Sequence, residues 1–254
     1  MKNFLKQLTE EAGEKLKENF KKGQSFVALR KTSKEAAIKY DKTSDKFIVE
    51  KIRKKYPDHN ILSEEGGFKK GNSDYLWIVD SLDGTGNFAN HNPLFSVCIA
   101  LFKKKTPFLA ATFAPMINEF YFAEKGKGAF LNSKKINVSK IKELKESYLF
   151  YCEGNEKNKL RTRKILNALY PKVIDIRKIG SAGIETAWVA TGRGEAFWAT
   201  QIDPWDIAAG FLLIKEAGGE IIDFKGKPWK MKKSDLLFAN KKVSNEILKL
   251  IKNI

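Results

Sequence analysis

The chain has 254 residues, and 47 lysines and arginines against 30 aspartates and glutamates give it a formal net charge of +17 at pH 7. This length can bury a sizeable core, as one large domain or as two packed halves. No apolar run reaches the length of a membrane span and the N-terminus lacks the apolar core of a signal peptide, so no membrane partner is expected. The two cysteines, Cys98 and Cys152, predict a reduced, cytoplasmic protein with buried thiols.

The apolar residues of the first half predict two helices followed by short strands. Helices are expected over residues 4–20, with Gly23 as a stop, and over 34–56. Strands are expected over 61–63, 75–79, 94–103, 107–115 and 119–122, and a hairpin turn at 126–132 leads into an edge strand. This pattern indicates an antiparallel sheet flanked by the two early helices.

In the second half, strands and helices alternate. Strands are expected over 148–152, 173–176, 196–198 and 220–222, and helices over 156–169, 181–190, 205–217 and 243–251. Such alternation favours a mostly parallel or mixed sheet. Pattern alone therefore predicts an α/β or α+β fold, and no linker separates the two halves.

The most informative stretch is residues 77–88, which read WIVDSLDGTGNF. A short apolar run, typical of a buried strand, leads to Asp80 and Asp83, and Gly84 and Thr85 follow directly. One interpretation is a capped turn in which aspartate, glycine and threonine satisfy the backbone. The other is a metal site with oxygen ligands at the end of a strand, beside free N–H groups suited to a phosphate.

Three further stretches occur in a fixed order around this motif, namely SEEGG at 63–67, GSA at 180–182 and WDIAAG at 205–210. Together the four stretches resemble the inositol monophosphatase family of magnesium-dependent, lithium-sensitive phosphomonoesterases, from about residue 31 to about residue 219. The resemblance implies a layered α-β-α-β-α sandwich of the sugar phosphatase type. It divides the chain into an N-terminal α+β half (1–145) with an antiparallel sheet and most metal ligands, and a C-terminal α/β half (146–254) with a mixed sheet.

The resemblance also implies a role for each motif residue around two or three Mg²⁺ ions. Glu64, Asp80 and the Leu82 carbonyl would hold the first ion, and Asp80, Asp83 and Asp206 the second. The Thr85 hydroxyl, with Glu64, would orient the attacking water. Substrate contacts are expected from Gly84, Thr85, Gly180, Ser181, Ala182 and Asp206. From the residues alone, Asp206 could equally be an N-terminal acid favoured by a helix dipole.

The chain departs from the family pattern at several positions. Residues 31–41 correspond to a mobile lid whose Asp41 would help a loosely held metal and the attacking water, although Asp41 could equally be a helix-surface acid. Ser81 stands where the family has proline, which should leave the neighbouring ligands in place. Ala199 stands where inositol-specific members carry glutamate, and this weakens the case for inositol.

These observations predict magnesium-dependent hydrolysis of a small sugar or polyol phosphate monoester, with inositol-1-phosphate as the default substrate. Fructose-1,6-bisphosphatase activity, alone or in addition, is the alternative. Arg177, Lys178 and Arg193 could meet a second phosphate or belong to a general basic surface. A further alternative, which is not favoured, is a basic protein that binds RNA or a transcription complex. The resemblance to the family also implies a homodimer.

Overall fold

The structure, a computed structural model, describes residues 1–22, 30–153, 158–252 and 254, and for residues 30–34 and 36 it describes the backbone. The helices are α1 (Lys2–Lys22), α2 (Arg30–Lys55), α3 (Thr85–Ala89), α4 (Lys159–Leu169), α5 (Ala182–Ala190), α6 (Pro204–Glu216) and α7 (Ser244–Ile251). The strands are β1 (Asn60–Ser63), β2 (Gly67–Lys69), β3 (Tyr75–Asp83), β4 (Ser96–Lys103), β5 (Thr106–Ala114), β6 (Glu119–Glu124), β7 (Gly128–Leu131), β8 (Lys134–Ile136), β9 (Tyr148–Glu153), β10 (Asp175–Arg177), β11 (Ala196–Ile202), β12 (Glu220–Asp223) and β13 (Ser234–Ala239).

The strands form two sheets. The first has the order β2-β1-β3-β4-β5-β6-β7-β8 and is antiparallel except where β1 runs parallel to β3. The second has the order β10-β9-β11-β13-β12, with β10 and β11 parallel to β9 and the remaining pairs antiparallel. Both sheets are therefore mixed.

The helices complete five layers. Helices α1 and α2 cover the outer face of the first sheet, α5 and α6 lie between the two sheets, and α4 and α7 cover the outer face of the second. Strand β3 shows why the first sheet reads as continuous apolar sequence: Trp77 and Val79 pack towards α1 and α2, whereas Ile78 packs towards the middle layer. Side chains alternate between faces along a strand, and here both faces are buried. The predicted α-β-α-β-α sandwich is confirmed.

Several predicted boundaries were wrong. Strands β2 and β13 were not predicted, and β2 has three residues, too few for a periodic signal. Strand β7 lies within the hairpin turn predicted at 126–132, and the strand that follows this stretch, β8, is at the edge of the sheet as predicted. Helix α2 begins at Arg30, so the predicted lid at 31–41 has helical backbone. Gly23 and the start of the helix predicted over 156–169 lie outside the described residues.

The two cysteines are free, as expected, but differ in burial. Cys98 is buried under α5, whereas Cys152 is only partly buried near the end of β9. Within the described ranges, no helix is both long and apolar enough to cross a membrane. All strands of the first sheet precede residue 145 in the sequence, and all strands of the second follow residue 146. The division of the chain into two halves at this point stays a prediction.

Candidate active site

The parallel pairing of β1 and β3 places two acids side by side. Ser63 is in register with Val79, and the Glu64 amide donates to the Val79 carbonyl at 3.3 Å. Glu64 directly follows Ser63, and Asp80 directly follows Val79. Adjacent parallel strands end at the same edge of a sheet, so both carboxylates emerge there.

A β-bulge at the end of β3 brings Asp83 to the same region. Asp80 is opposite Cys98 and Asp83 is opposite Ser96, so three steps on β3 match two on β4. Without the extra residue, side chains three positions apart would point to opposite faces. Bulges characteristically re-aim a side chain in this way. The sequence had predicted a strand that ends at Asp80. In the structure, β3 continues to Asp83.

Asp206 reaches the same place from the first turn of α6. Its Oδ2 accepts a hydrogen bond from the Asp203 amide at 3.1 Å, which completes a capping box. Ligand oxygens of Glu64, Asp80 and Asp206 all lie within 4.8 Å of one another. Asp206 therefore has both of the positions considered from the sequence: it is an N-terminal helix acid and a member of a carboxylate cluster.

The cluster is electrostatically costly without a counterion. The pKa of Glu64 is raised to about 8. The largest cause is partial removal of its carboxyl group from water, and the next is repulsion from Asp206 and Asp41. Part of the Glu64 side chain is nevertheless exposed to solvent. Burial and then Asp83 raise the pKa of Asp206 to about 7. Burial, then Asp83 and Glu64, raise the pKa of Asp80 well above its ordinary value.

A hard cation fits this donor set. None of the ion pairs formed by the described residues involves Glu64, Asp80, Asp83 or Asp206. Carboxylates that converge in this way without a basic partner repel one another. Carboxylate and carbonyl oxygens are the ligands that Mg²⁺ prefers. The cluster can therefore hold a divalent cation of that class.

Asp83 is fixed by hydrogen bonds from β4 and α5. Its Oδ2 accepts from Ser96 Oγ at 2.7 Å, from the Gly183 amide at 3.1 Å, and from Ser181 Oγ. Ser181 also caps α5 by accepting from the Ile184 amide. Ser181 and Ala182, predicted as substrate contacts, are buried, whereas Gly180 is exposed. The structure thus brings the Ser181 hydroxyl to Asp83, and its contact with substrate stays a prediction.

Gly183 allows this close contact between α5 and the site. A Cβ at this position would lie 2.3 Å from Cys98 Sγ, 2.7 Å from Ser96 Oγ and 2.9 Å from Asp83 Oδ2. We expect Gly183→Ala to destabilise the fold by about 1–3 kcal/mol, the usual cost of overpacking a core, as measured by urea denaturation. Gly86→Ala is the matched control, because a Cβ there meets no atom within 4 Å; equal losses in the two variants would contradict the expectation.

Thr85 and Asp41 complete the arrangement. Thr85 Oγ1 lies 3.0 Å from the Leu82 carbonyl oxygen and 3.3 Å from Asp41 Oδ2, and a hydroxyl has one proton to give to either. Asp41 is 3 % exposed, so the interpretation as a helix-surface acid was wrong. Burial is the main cause that raises its pKa to about 6, against the hydrogen bond from Ser81. Gly84, with φ +86°, caps α3 directly before Thr85.

Three residues that contact the acids in the structure had no predicted role. Ser96 and Gly183 bind Asp83, and their positions depend on the packing of α5 on β4, which no local pattern reveals. Ser81 was noticed only as a departure from proline. Its hydroxyl donates to Asp41 Oδ1 at 2.7 Å, so the departure itself was the available signal.

Together, fold and site define a layered α/β protein with a carboxylate cluster, suited to a cation, at the ends of β1 and β3 and the N-terminus of α6. Comparison with known proteins makes this assignment more specific. The profile of the inositol monophosphatase family matches residues 1–254. The chain belongs to this family.

Individual relatives agree with that assignment. A Thermotoga maritima protein named fructose-1,6-bisphosphatase/inositol-1-monophosphatase is 37 % identical over 222 residues, or 87 % of this chain and 84 % of that protein. The Nus factor SuhB of Escherichia coli K12 is 34 % identical over 251 residues, or 98 % and 94 % of the two chains. The crystal structure of the extragenic suppressor protein suhB from Bartonella henselae superposes with a TM-score of 0.88, at 28 % identity and 98 % coverage of both chains. An inositol monophosphatase from Anabaena gives 0.85, at 28 % identity and 99 % and 95 % coverage.

Proposed function

We propose that the protein hydrolyses a small sugar or polyol phosphate monoester with the help of Mg²⁺. The observation that carries this proposal is the convergence of Glu64, Asp80 and Asp206 within 4.8 Å, with no basic partner among the described residues. A phosphate monoester is itself anionic and would be repelled by these acids. Substrate binding therefore requires cations between the acids and the phosphate.

The proposed ligands follow the family pattern. Glu64, Asp80 and the Leu82 carbonyl would hold one ion and Asp80, Asp83 and Asp206 another, with two or three Mg²⁺ per site. When bound, Mg²⁺ neutralises phosphate oxygens, acidifies water and stabilises the leaving alkoxide.

The chain's own residues would orient the reactants around these ions. Thr85 Oγ1 and Glu64 would position the attacking water, and Asp41, 3.3 Å from Thr85 Oγ1, would accept a hydrogen bond from the Thr85 hydroxyl. The Gly84 and Thr85 amides would face the phosphate, together with the GSA stretch at 180–182.

Inositol-1-phosphate is the proposed default substrate, and fructose-1,6-bisphosphate is the alternative. The name of the Thermotoga maritima relative contains both activities. The three basic residues considered for a second phosphate are already paired: Arg177 with Asp175, Lys178 with Glu153 and Arg193 with Glu119. A second phosphate group would have to compete with those carboxylates. This favours substrates with a single phosphate.

Phosphate release by the purified chain tests the proposal. With Mg²⁺ present, we expect release from at least one of inositol-1-phosphate, fructose-1,6-bisphosphate and glycerol phosphate. Chelation by EDTA should abolish it, and added Mg²⁺ should restore it. A well-folded preparation that releases phosphate from none of the three would refute the proposal.

A second candidate function is binding to RNA or a transcription complex. It is supported by the relatives named Nus factor SuhB and by the net charge of +17. Binding through a nucleic-acid backbone weakens steeply with salt, so titration of a labelled RNA at several salt concentrations distinguishes this role from the phosphatase role. For either function, a homodimer is proposed. A cytoplasmic location is also proposed, because the two free cysteines agree with a reducing compartment.

A further inference from the structure

Ser81 connects the catalytic strand to helix α2. It lies within the bulge of β3 and is 1 % exposed. Its Oγ is 2.7 Å from Asp41 Oδ1 and 3.1 Å from the Asp41 carbonyl oxygen. The hydroxyl has a single proton, and the shorter contact to a charged acceptor is the stronger one. The proline of the family pattern has no hydroxyl and could not make this bond.

The backbone of Ser81 also contacts α2. Ser44 Oγ donates to the Ser81 carbonyl at 3.1 Å. Asp41 and Ser44 are three residues apart, hence on one face of the helix, and both are buried. A bulge leaves one residue outside the regular pairing of the sheet. At this bulge, α2 supplies partners for both the side chain and the carbonyl of that strand segment.

The Asp41 carboxylate is consequently held from two sides. Ser81 Oγ donates to Oδ1, and Thr85 Oγ1 lies 3.3 Å from Oδ2. Thr85 can also donate to the Leu82 carbonyl, so Ser81 provides the donor with the better geometry. Asp45 and Glu65 are near enough to repel the Asp41 carboxylate. Removal of the Ser81 hydroxyl would leave Asp41, among the side chains that the structure describes, with one weak donor and nearby acids.

We propose that Ser81 is a positioning residue that fixes the Asp41 carboxylate for binding the more weakly held Mg²⁺ ion and for orienting the attacking water. Ser81 is 1 % exposed, and in this role it acts through Asp41 rather than by contact with substrate or ion. This inference rests on the proposed function. It explains how the chain retains a catalytic geometry while lacking the proline of the family motif.

A double-mutant cycle tests the pathway. Ser81→Ala is expected to lower kcat about tenfold, which corresponds to about 1.4 kcal/mol, and to raise the Mg²⁺ concentration for half-maximal activity, while KM for the phosphate substrate stays within about twofold. In an Asp41→Asn background, Ser81→Ala should have no further effect, because residues that act through one contact are not additive. Additive losses would overturn the proposal.

Ser44→Ala is the matched control. It removes a buried hydroxyl from the same helix–strand contact but leaves the Ser81–Asp41 bond, and it should retain activity within about twofold of wild type. An equal loss in Ser44→Ala and Ser81→Ala would mean that general docking of α2 matters, and would overturn the specific role. If Ser81→Ala fails to fold, Ser81→Cys, which nearly keeps the size of the side chain but is only a weak donor, provides the same test.

Binding of Mn²⁺ to the metal-free protein, followed by electron paramagnetic resonance, gives a readout independent of catalysis. Ser81→Ala should weaken the weaker class of bound ion at least fivefold and leave the tighter class unchanged, whereas Ser44→Ala should resemble wild type. Unchanged binding of both classes in Ser81→Ala would overturn the inference. If the wild-type protein releases no phosphate, the proposed function fails, and the Mn²⁺ measurement still decides the role of Ser81.

Discussion

Asp83→Asn is expected to lower kcat for phosphate release a hundredfold or more. The substitution keeps the shape of the side chain and removes a negative charge from the proposed second metal position. Loss of one well-placed electrostatic group typically costs about 2.7–4 kcal/mol of transition-state stabilisation. The fold should survive, because the asparagine oxygen can still accept from Ser96, Ser181 and Gly183 and repulsion with Asp80 is relieved.

The matched control for this prediction is Asp74→Asn. Asp74 is exposed and forms a surface ion pair with Lys104 at 3.6 Å, so its loss should change kcat less than twofold, because surface pairs contribute little. Both variants should be assayed at saturating Mg²⁺, with circular dichroism to verify folding. An Asp83→Asn enzyme within about threefold of wild type would remove Asp83 from the metal site.

Most of the predictions for the site depended on the chain order of the motifs. Asp80 and Asp83 stand at the end of an apolar run, and this local pattern is enough to suggest oxygen ligands after a buried strand. Their convergence with Asp206, more than a hundred residues later, depends on α6 packing between the two sheets. Composition and periodicity carry no such information, and only the resemblance to the family supplied it.

Features that depend on tertiary packing could not be predicted from the sequence. The bulge between Asp80 and Asp83 has no recognisable sequence pattern. The same residues are equally typical of a strand followed by a turn. The engagement of Ser181 with Asp83 requires that α5 approach β4 closely, and this in turn depends on the absence of a side chain at Gly183. The burial of Asp41 was ambiguous because an acid in a lysine-rich helix normally faces solvent.

The stability of the metal-free protein is expected to fall as the pH rises, and Mg²⁺ should reverse this loss. Folding places Glu64, Asp80 and Asp206 together, and burial with mutual repulsion raises the pKa of each. The folded protein therefore binds more protons than the unfolded chain at neutral pH. By linkage, stability then decreases with increasing pH.

The pH window follows from the individual groups. Their ordinary pKa values are 3.8 for aspartate and 4.5 for glutamate, and the folded values are about 7 for Asp206 and about 8 for Glu64. The stabilising contribution is thus complete below about pH 4 and is lost as the pH rises through 7 and 8. His59 acts with the opposite sign, because burial lowers its pKa from 6.5. Its contribution is complete above about pH 7.5. Burial also raises the pKa of Glu185 and of the Cys98 and Cys152 thiols, which act in the same direction as the clustered acids, so the difference between wild type and Asp80→Asn from pH 7.5 to 9 reports the cluster.

Thermal unfolding with EDTA and with Mg²⁺ across that pH range measures the effect. A ligand at a hundred times its dissociation constant stabilises a protein by about 2.7 kcal/mol, or about 5–10 °C in Tm for a chain of this size. Asp80→Asn is the informative variant: it should flatten the pH dependence of the metal-free protein, raise its Tm at pH 8 and lose most of the response to Mg²⁺. Asp74→Asn should behave as wild type. A metal-free Tm that stays constant or rises between pH 7.5 and 9, together with no shift on adding Mg²⁺, would show that these carboxylates do not form a cation site.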